Sequence, residues 1–162
     1  MKSGHSHFGQ SFDASASELF TTLLSGGRLY LADADSLIAG EELSRLLRDN
    51  AITTATLPPS VLSLLDIEEL PALRTMISAG EACSADIAAA CCDAGLRFLN
   101  AYGPTEVSVC ATISHCTDTA RFTSIGRPIA NAQVYLLDDR MEPVPEGVTG
   151  ELFVGGAGIA RG

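Results

Sequence analysis

Asn100, Tyr102, Thr105 and Glu106 crowd into one short stretch, Asn-Ala-Tyr-Gly-Pro-Thr-Glu at 100–106. A turn needs only Gly, Pro and a small polar residue, and this one adds an amide, a ring, a hydroxyl and a carboxylate. The Tyr102 ring suits stacking on a planar base. The Asn100 amide offers a donor and an acceptor to a base edge. The Thr105 hydroxyl can donate to a phosphate oxygen. A single acid such as Glu106 suits Mg²⁺, which is held by one or two carboxylates plus substrate phosphates. The plainer alternative is a Pro-Gly turn with a surface acid.

Two further stretches carry chemistry. In Ser-Ala-Gly-Glu-Ala-Cys, 78–83, Gly80 lets a flat group approach the backbone and a carboxylate follows it. In Ser-Phe-Asp-Ala-Ser, 11–15, Asp13 lies between Phe12 and Ala14. A carboxylate in apolar surroundings is costly unless it is paired with a cation, so a ligand ammonium is one candidate partner. The positive end of a helix is the other.

The elements that must position these residues are legible from periodicity. A helix is expected from Ser15, with capping-box spacing to Glu18, an apolar stripe of Leu19, Phe20, Leu23 and Leu24, and a stop at Gly26-Gly27. Residues 28–33 read as a strand. Leu43, Leu46 and Leu47 mark a second helix. A β-branched run at 53–57 reads as a strand ending at Pro58-Pro59, and 60–65 as a short helix. Strand 73–80, helix 84–95 and strand 97–102 complete the series.

Helix and strand alternate through short connections, which predicts an α/β fold with a parallel sheet flanked by helices. Such sheets bind ligands beyond the carboxyl ends of their strands. Those ends are Asp33, Leu57-Pro58, Ala79-Gly80-Glu81 and Ala101-Tyr102-Gly103, so two of the three chemical stretches share one edge. After about Thr117 the texture changes. Residues 132–139 and 150–156 read as strands with no helix between them, which predicts a short antiparallel β segment beyond a boundary at 118–124.

Composition excludes several classes. Asp and Glu number 20 against 10 Lys and Arg in 162 residues, which argues against nucleic acid or an anionic membrane as partner. No run of 18 apolar residues is present, so no membrane-spanning helix is expected, and the start lacks the apolar core of a signal peptide. The 5 cysteines form no Cys-x-x-Cys pair and read as free thiols of a reducing cytoplasm, with Cys91 and Cys92 packed on a helix.

In order and spacing, Phe-Asp-Ala-Ser-Ala-Ser-Glu-Leu-Phe (12–20), 78–83, 100–106 and Gly-Glu-Leu-Phe-Val-Gly-Gly-Ala-Gly-Ile-Ala-Arg-Gly (150–162) resemble the middle core motifs of the amino-acid adenylation domains of nonribosomal peptide synthetases. The resemblance runs from Ser11 to Gly162. It implies three parts: a tag or non-family start at 1–10, a flavodoxin-like substrate- and adenine-binding subdomain at 11–120, and the start of a β-barrel-like subdomain at 121–162.

It also implies a reaction. An amino acid and ATP, with Mg²⁺, give an aminoacyl-adenylate and pyrophosphate, and the aminoacyl group passes to the phosphopantetheine thiol of a peptidyl carrier domain beside a condensation domain. By motif, Asn100 and Tyr102 meet the adenine with Ala79 and Gly80 lining the slot. Thr105 contacts the α-phosphate, Glu106 holds Mg²⁺, and Asp13 pairs with the substrate ammonium. The side-chain pocket is lined by Asp13, Ala14, Ser17, Thr56, Ile77, Ala79, Ala101, Val109 and Cys110.

That set is small and apolar with two hydroxyls, similar to members that activate aromatic amino acids. Phenylalanine-activating members usually carry Trp where this chain has Ser17, so a longer, tyrosine-like ring is expected. The family's phosphate loop with its Lys, the ribose-binding Asp and the C-terminal Lys have no match in this sequence, so the chain by itself is expected to be inactive. The alternatives are a fragment of an acyl- or aryl-acid:CoA ligase, in which Asp13 has no amino group to meet, and a flavodoxin-like binding scaffold.

Overall fold

The computed structural model describes residues 3–5 (backbone only), 13–32, 40–116 and 123–161. Ser11, Phe12, Asp33, the proposed boundary at 118–122 and Gly162 lie outside these residues.

Strands β1 (Ser3–His5), β2 (Arg28–Tyr30), β3 (Thr54–Leu57), β4 (Thr75–Ala79) and β5 (Arg97–Tyr102) run parallel in the order β2-β1-β3-β4-β5. This is the flavodoxin-like order, with its switch point between β1 and β3. Helices α1 (Asp13–Leu24), α2 (Glu41–Asp49), α3 (Pro59–Leu62) and α4 (Ala85–Asp93) fill the crossovers. Strands β6 (Thr112–His115) and β7 (Arg127–Pro128) extend the sheet antiparallel beyond β5. Strands β8 (Ala132–Leu137) and β9 (Glu151–Gly156) form a separate antiparallel pair. The parallel sheet with flanking helices and the antiparallel segment are those that the sequence implies.

The sheet has two unlike faces because successive side chains point to opposite sides. Ala55, Met76 and Phe98 stand in register and are buried. They pack in one cluster with Leu43 and Leu47 of α2, Leu62 of α3 and Ala88 and Cys91 of α4. The opposite face carries Thr54, Thr56, Thr75, Ile77, Leu99 and Ala101, each only partly buried. The same alternation thus provides a core on one side and a lining on the other.

Local signals set the helix ends. Ser84 accepts the Ile87 N–H and opens α4. Pro59 occupies the first turn of α3, where no N–H is needed. The Gly27 N–H closes α1 on the Thr22 carbonyl at 2.8 Å.

Some expectations are corrected. Helix α1 begins at Asp13, so the Ser15–Glu18 spacing falls inside the helix and Glu18 is buried rather than reaching back to cap. The apolar stripe of α1 does not face the sheet: Phe20 is 59% and Leu24 84% exposed, and the small and polar residues turn inward instead. Ser3–His5, within the stretch read as a tag or non-family start, pairs with both β2 and β3 and so lies between them. The main sheet also continues past the boundary at 118–124, because Arg127 and Pro128 pair with Ile113 and Thr112.

No disulfide joins the five cysteines. Burial, then the neighbouring thiols of Cys92, Cys83 and Cys116, pushes Cys91 up to about 12. The folded state therefore keeps a proton that the unfolded chain gives up from about pH 9. Stability should fall as pH rises from 9 toward 12, and Cys91→Ala should flatten that slope. Urea unfolding midpoints at pH 8 and pH 10 for both proteins check this.

Candidate functional site

The partly buried face of the sheet and helix α1 enclose a cavity of about 370 Å³. Each element contributes at its own period. From α1 come Ala14, Ser17 and Thr21 at helical spacing, with Glu18 and Thr22 beside them. From the strands come alternate residues, such as Thr54 and Thr56 of β3 and Ile77 and Ala79 of β4. Ala101, Val109, Cys110 and Ile113 close one wall.

Of the nine residues assigned to the side-chain pocket, Ala14, Ser17, Thr56, Ile77, Ala79, Ala101, Val109 and Cys110 all line this cavity. Asp13 is not among its lining residues. It meets the same wall through Val109, whose N–H donates to Asp13 Oδ2 at 2.5 Å. The cavity runs deeper than the sequence indicates, past Ala79 and Ala101 to Thr75 and Arg97 at the amino ends of β4 and β5. Strand period alone signals those positions, since each lies two residues from another lining residue.

The residues expected on the nucleotide side stand at the carboxyl end of β5 and in the loop after it. Tyr102 is half-buried, and Thr105 and Glu106 are exposed. Val107 N–H donates to the Pro104 carbonyl at 3.0 Å and closes the Gly-Pro-Thr-Glu turn. The returning chain packs so closely that a Cβ on Gly103 would lie 2.6 Å from the Cys110 Cα. Ala111 N–H donates to the Tyr102 carbonyl at 2.7 Å. The tail joins from outside: Ser108 N–H donates to the Gly158 carbonyl and Ala160 N–H to the Glu106 carbonyl, both at 2.8 Å.

Gly80 has φ +89 and nothing within 4 Å of where a Cβ would stand, so the backbone there is bare to an incoming planar group. Asn100 lies on the core face, 5% exposed, and its Nδ2 donates to the Ser124 carbonyl at 3.0 Å. That bond ties β5 to the segment before β7, so the amide also has a structural task. A link that no local pattern signals involves Glu81. Its two carboxylate oxygens accept the Ser60 N–H at 3.0 Å and the Ser60 hydroxyl at 2.9 Å, fastening the Gly80 loop to the start of α3.

Among the described residues no group of three or more His, Cys, Asp or Glu is placed to hold a metal. Glu106 alone fits Mg²⁺ only where phosphates and water supply the other ligands. Cys110, in the cavity wall, is held protonated by burial and then by the Asp13 charge, so it acts as an apolar surface rather than a nucleophile.

A family model described as AMP-binding enzyme matches residues 6–162. The chain belongs to the AMP-binding enzyme family. It is 48% identical over 152 residues to bacitracin synthase 3 of Bacillus licheniformis, covering 94% of this chain and 2% of that one. It is 47% identical over 152 residues to phosphinothricin tripeptide synthetase PhsC of Streptomyces viridochromogenes, covering 94% and 14%. The fold matches holo-PA1221, a nonribosomal peptide synthetase protein containing adenylation and carrier domains, bound there to a vinylsulfonamide inhibitor. The TM-score is 0.87 at 29% identity, over 100% of this chain and 30% of that one. The chain is thus nonribosomal peptide synthetase adenylation-domain sequence in the adenylation-domain fold, spanning a small part of the relatives it matches.

The fit of Gly103 against Cys110 predicts a sharp contrast between two glycines. Gly103→Ala should lose about 1–3 kcal/mol by overpacking. Gly158→Ala, whose Cβ would meet nothing nearer than 3.9 Å, should stay within about 0.5 kcal/mol of the parent. Thermal or urea unfolding of the two variants measures it.

Proposed function

We propose that this segment forms the amino-acid pocket and the adenine face of an adenylation site that activates a tyrosine-like amino acid. The amino-acid carboxylate attacks the α-phosphorus of ATP, pyrophosphate leaves, and the aminoacyl group then passes to the phosphopantetheine thiol of a carrier domain. The observation that carries this reading is the cavity. Its lining includes eight of the nine residues that the family resemblance assigns to the side chain of the substrate, and its volume of about 370 Å³ accommodates an aromatic ring.

The division of labour follows from position. Asp13 supplies the negative charge for the ammonium. The apolar walls of Ile77, Ala79, Ala101, Val109 and Cys110 exclude water from the ring, and Ser17 and Thr56 offer hydroxyls to a phenol. Tyr102 and the bare backbone at Gly80 take the adenine, with Thr105 toward the α-phosphate. Glu106 would hold Mg²⁺, which when bound neutralises phosphate charge. Carrier and condensation domains are the partners of the synthetase that contains this sequence, and a cytoplasmic location suits its five unbridged cysteines.

Specificity should respond to Ser17, which stands on α1 facing the strands. In the synthetase carrying this sequence, amino-acid-dependent ATP–pyrophosphate exchange should favour tyrosine over small aliphatic or acidic amino acids. Ser17→Trp should shorten the pocket and shift preference from tyrosine toward phenylalanine by roughly tenfold to a hundredfold. Asp13→Ala should weaken the exchange by about 3–5 kcal/mol of lost ion pairing. A parent that prefers an acidic or small aliphatic amino acid would refute the aromatic assignment.

A further inference from the structure

The bond between Asp13 and Val109 joins residues 96 apart in sequence, and an ammonium partner for Asp13 does not account for it. Val109 has φ 62, a left-handed conformation that a β-branched residue seldom adopts. Backbone of this kind persists only where its surroundings over-determine it.

The surroundings are visible in four consecutive N–H groups. Ser108 donates to the Gly158 carbonyl, Cys110 to the Ser108 carbonyl and Ala111 to the Tyr102 carbonyl. The Val109 N–H turns the other way and donates to Asp13. Main chain satisfies three of the four, and the fourth is held by a charged side chain at the start of α1. The Asp13 carboxylate is thus the tie between α1 and the loop that carries Tyr102, Thr105 and Glu106.

We propose that Asp13 is a positioning residue for the nucleotide half of the site, in addition to any contact it makes with the amino acid. By holding the Val109 N–H it fixes the strained loop and, through the Ala111–Tyr102 bond and the Gly103 contact, sets the adenine-side turn. The inference rests on the reading of residues 102–106 as a nucleotide turn. A carboxylate has acceptor sites to spare, so Oδ2 keeps Val109 while Oδ1 remains available to an ammonium. Occupying the amino-acid site then leaves the tie intact, and nucleotide and amino acid share one anchor.

Asparagine at position 13 keeps an acceptor oxygen and loses the charge, whereas alanine loses both. The test compares Asp13→Asn with Asp13→Ala in the full-length protein carrying this sequence. It reads amide hydrogen exchange at 107–111 and AMP affinity in the absence of amino acid. In Asp13→Ala, exchange at Val109 should quicken and AMP affinity should fall by roughly tenfold, the scale of one charge-assisted hydrogen bond. Asp13→Asn should restore most of both, while amino-acid-dependent pyrophosphate exchange stays lost in each.

AMP affinity unchanged in Asp13→Ala, or as weak in Asp13→Asn as in Asp13→Ala, would overturn the proposal. If the unsubstituted protein binds no AMP, the nucleotide reading itself fails. The exchange arm still decides the tie: quickened exchange at Val109 in Asp13→Ala supports it, and unchanged exchange refutes it.

Discussion

The loop between β5 and β6 leaves no room for a side chain at position 103, because the chain that returns through Val109 and Cys110 passes directly over it. That close approach brings the Ala111 N–H to the Tyr102 carbonyl and aligns β6 beside β5. It also sets Val109 and Cys110 as one wall of the cavity and leaves Thr105 and Glu106 exposed at its outer turn. Two tail residues, Gly158 and Ala160, bond the same loop from outside. A substitution that displaces the loop therefore disturbs the end of the sheet, the pocket wall and the docking of the tail together.

Behind the loop, the sheet divides the labour between its faces. Leu, Met and Phe on one face pack against α2, α3 and α4 and supply burial free energy, on the order of 1.5–3 kcal/mol for each large side chain. On the other face, Thr and Ala occupy positions where bulkier residues would fill the space under α1. The cavity of about 370 Å³ is the volume those small residues leave. The large apolar residues of α1 are exposed, the residues it turns toward the cavity are small or polar, and the Asp13–Val109 bond joins its first turn to the loop.

Periodicity made the parallel strands and their helices legible, since β3, β4 and β5 each show buried and partly buried residues in alternation. The pocket lining was legible in outline from the resemblance, because the lining positions sit at fixed offsets from the motifs. Other features depend on partners distant in the chain. Leu19, Phe20, Leu23 and Leu24 form a regular stripe, and only the tertiary structure shows that it faces away from the sheet. Strand β1 is three residues long and contains Gly4, too short for a periodic signal. Strand β6 follows the turn so closely that its alternation merges with the apolar run after Glu106. The Glu81–Ser60 and Asp13–Val109 bonds join residues 21 and 96 apart, and no local pattern encodes them.

One loop is thus proposed to serve both the amino acid and the nucleotide. The most direct measurement of this is an amide hydrogen-exchange map of the protein carrying this sequence, with and without a non-hydrolysable tyrosyl-adenylate analogue. Protection should gather at the start of α1, at 78–81 and at 102–111, rising in all three together. Protection confined to the acidic cleft of about 700 Å³ lined by Leu64, Asp66, Glu68 and Asp93, or reaching α1 without the 102–111 loop, would contradict a shared loop.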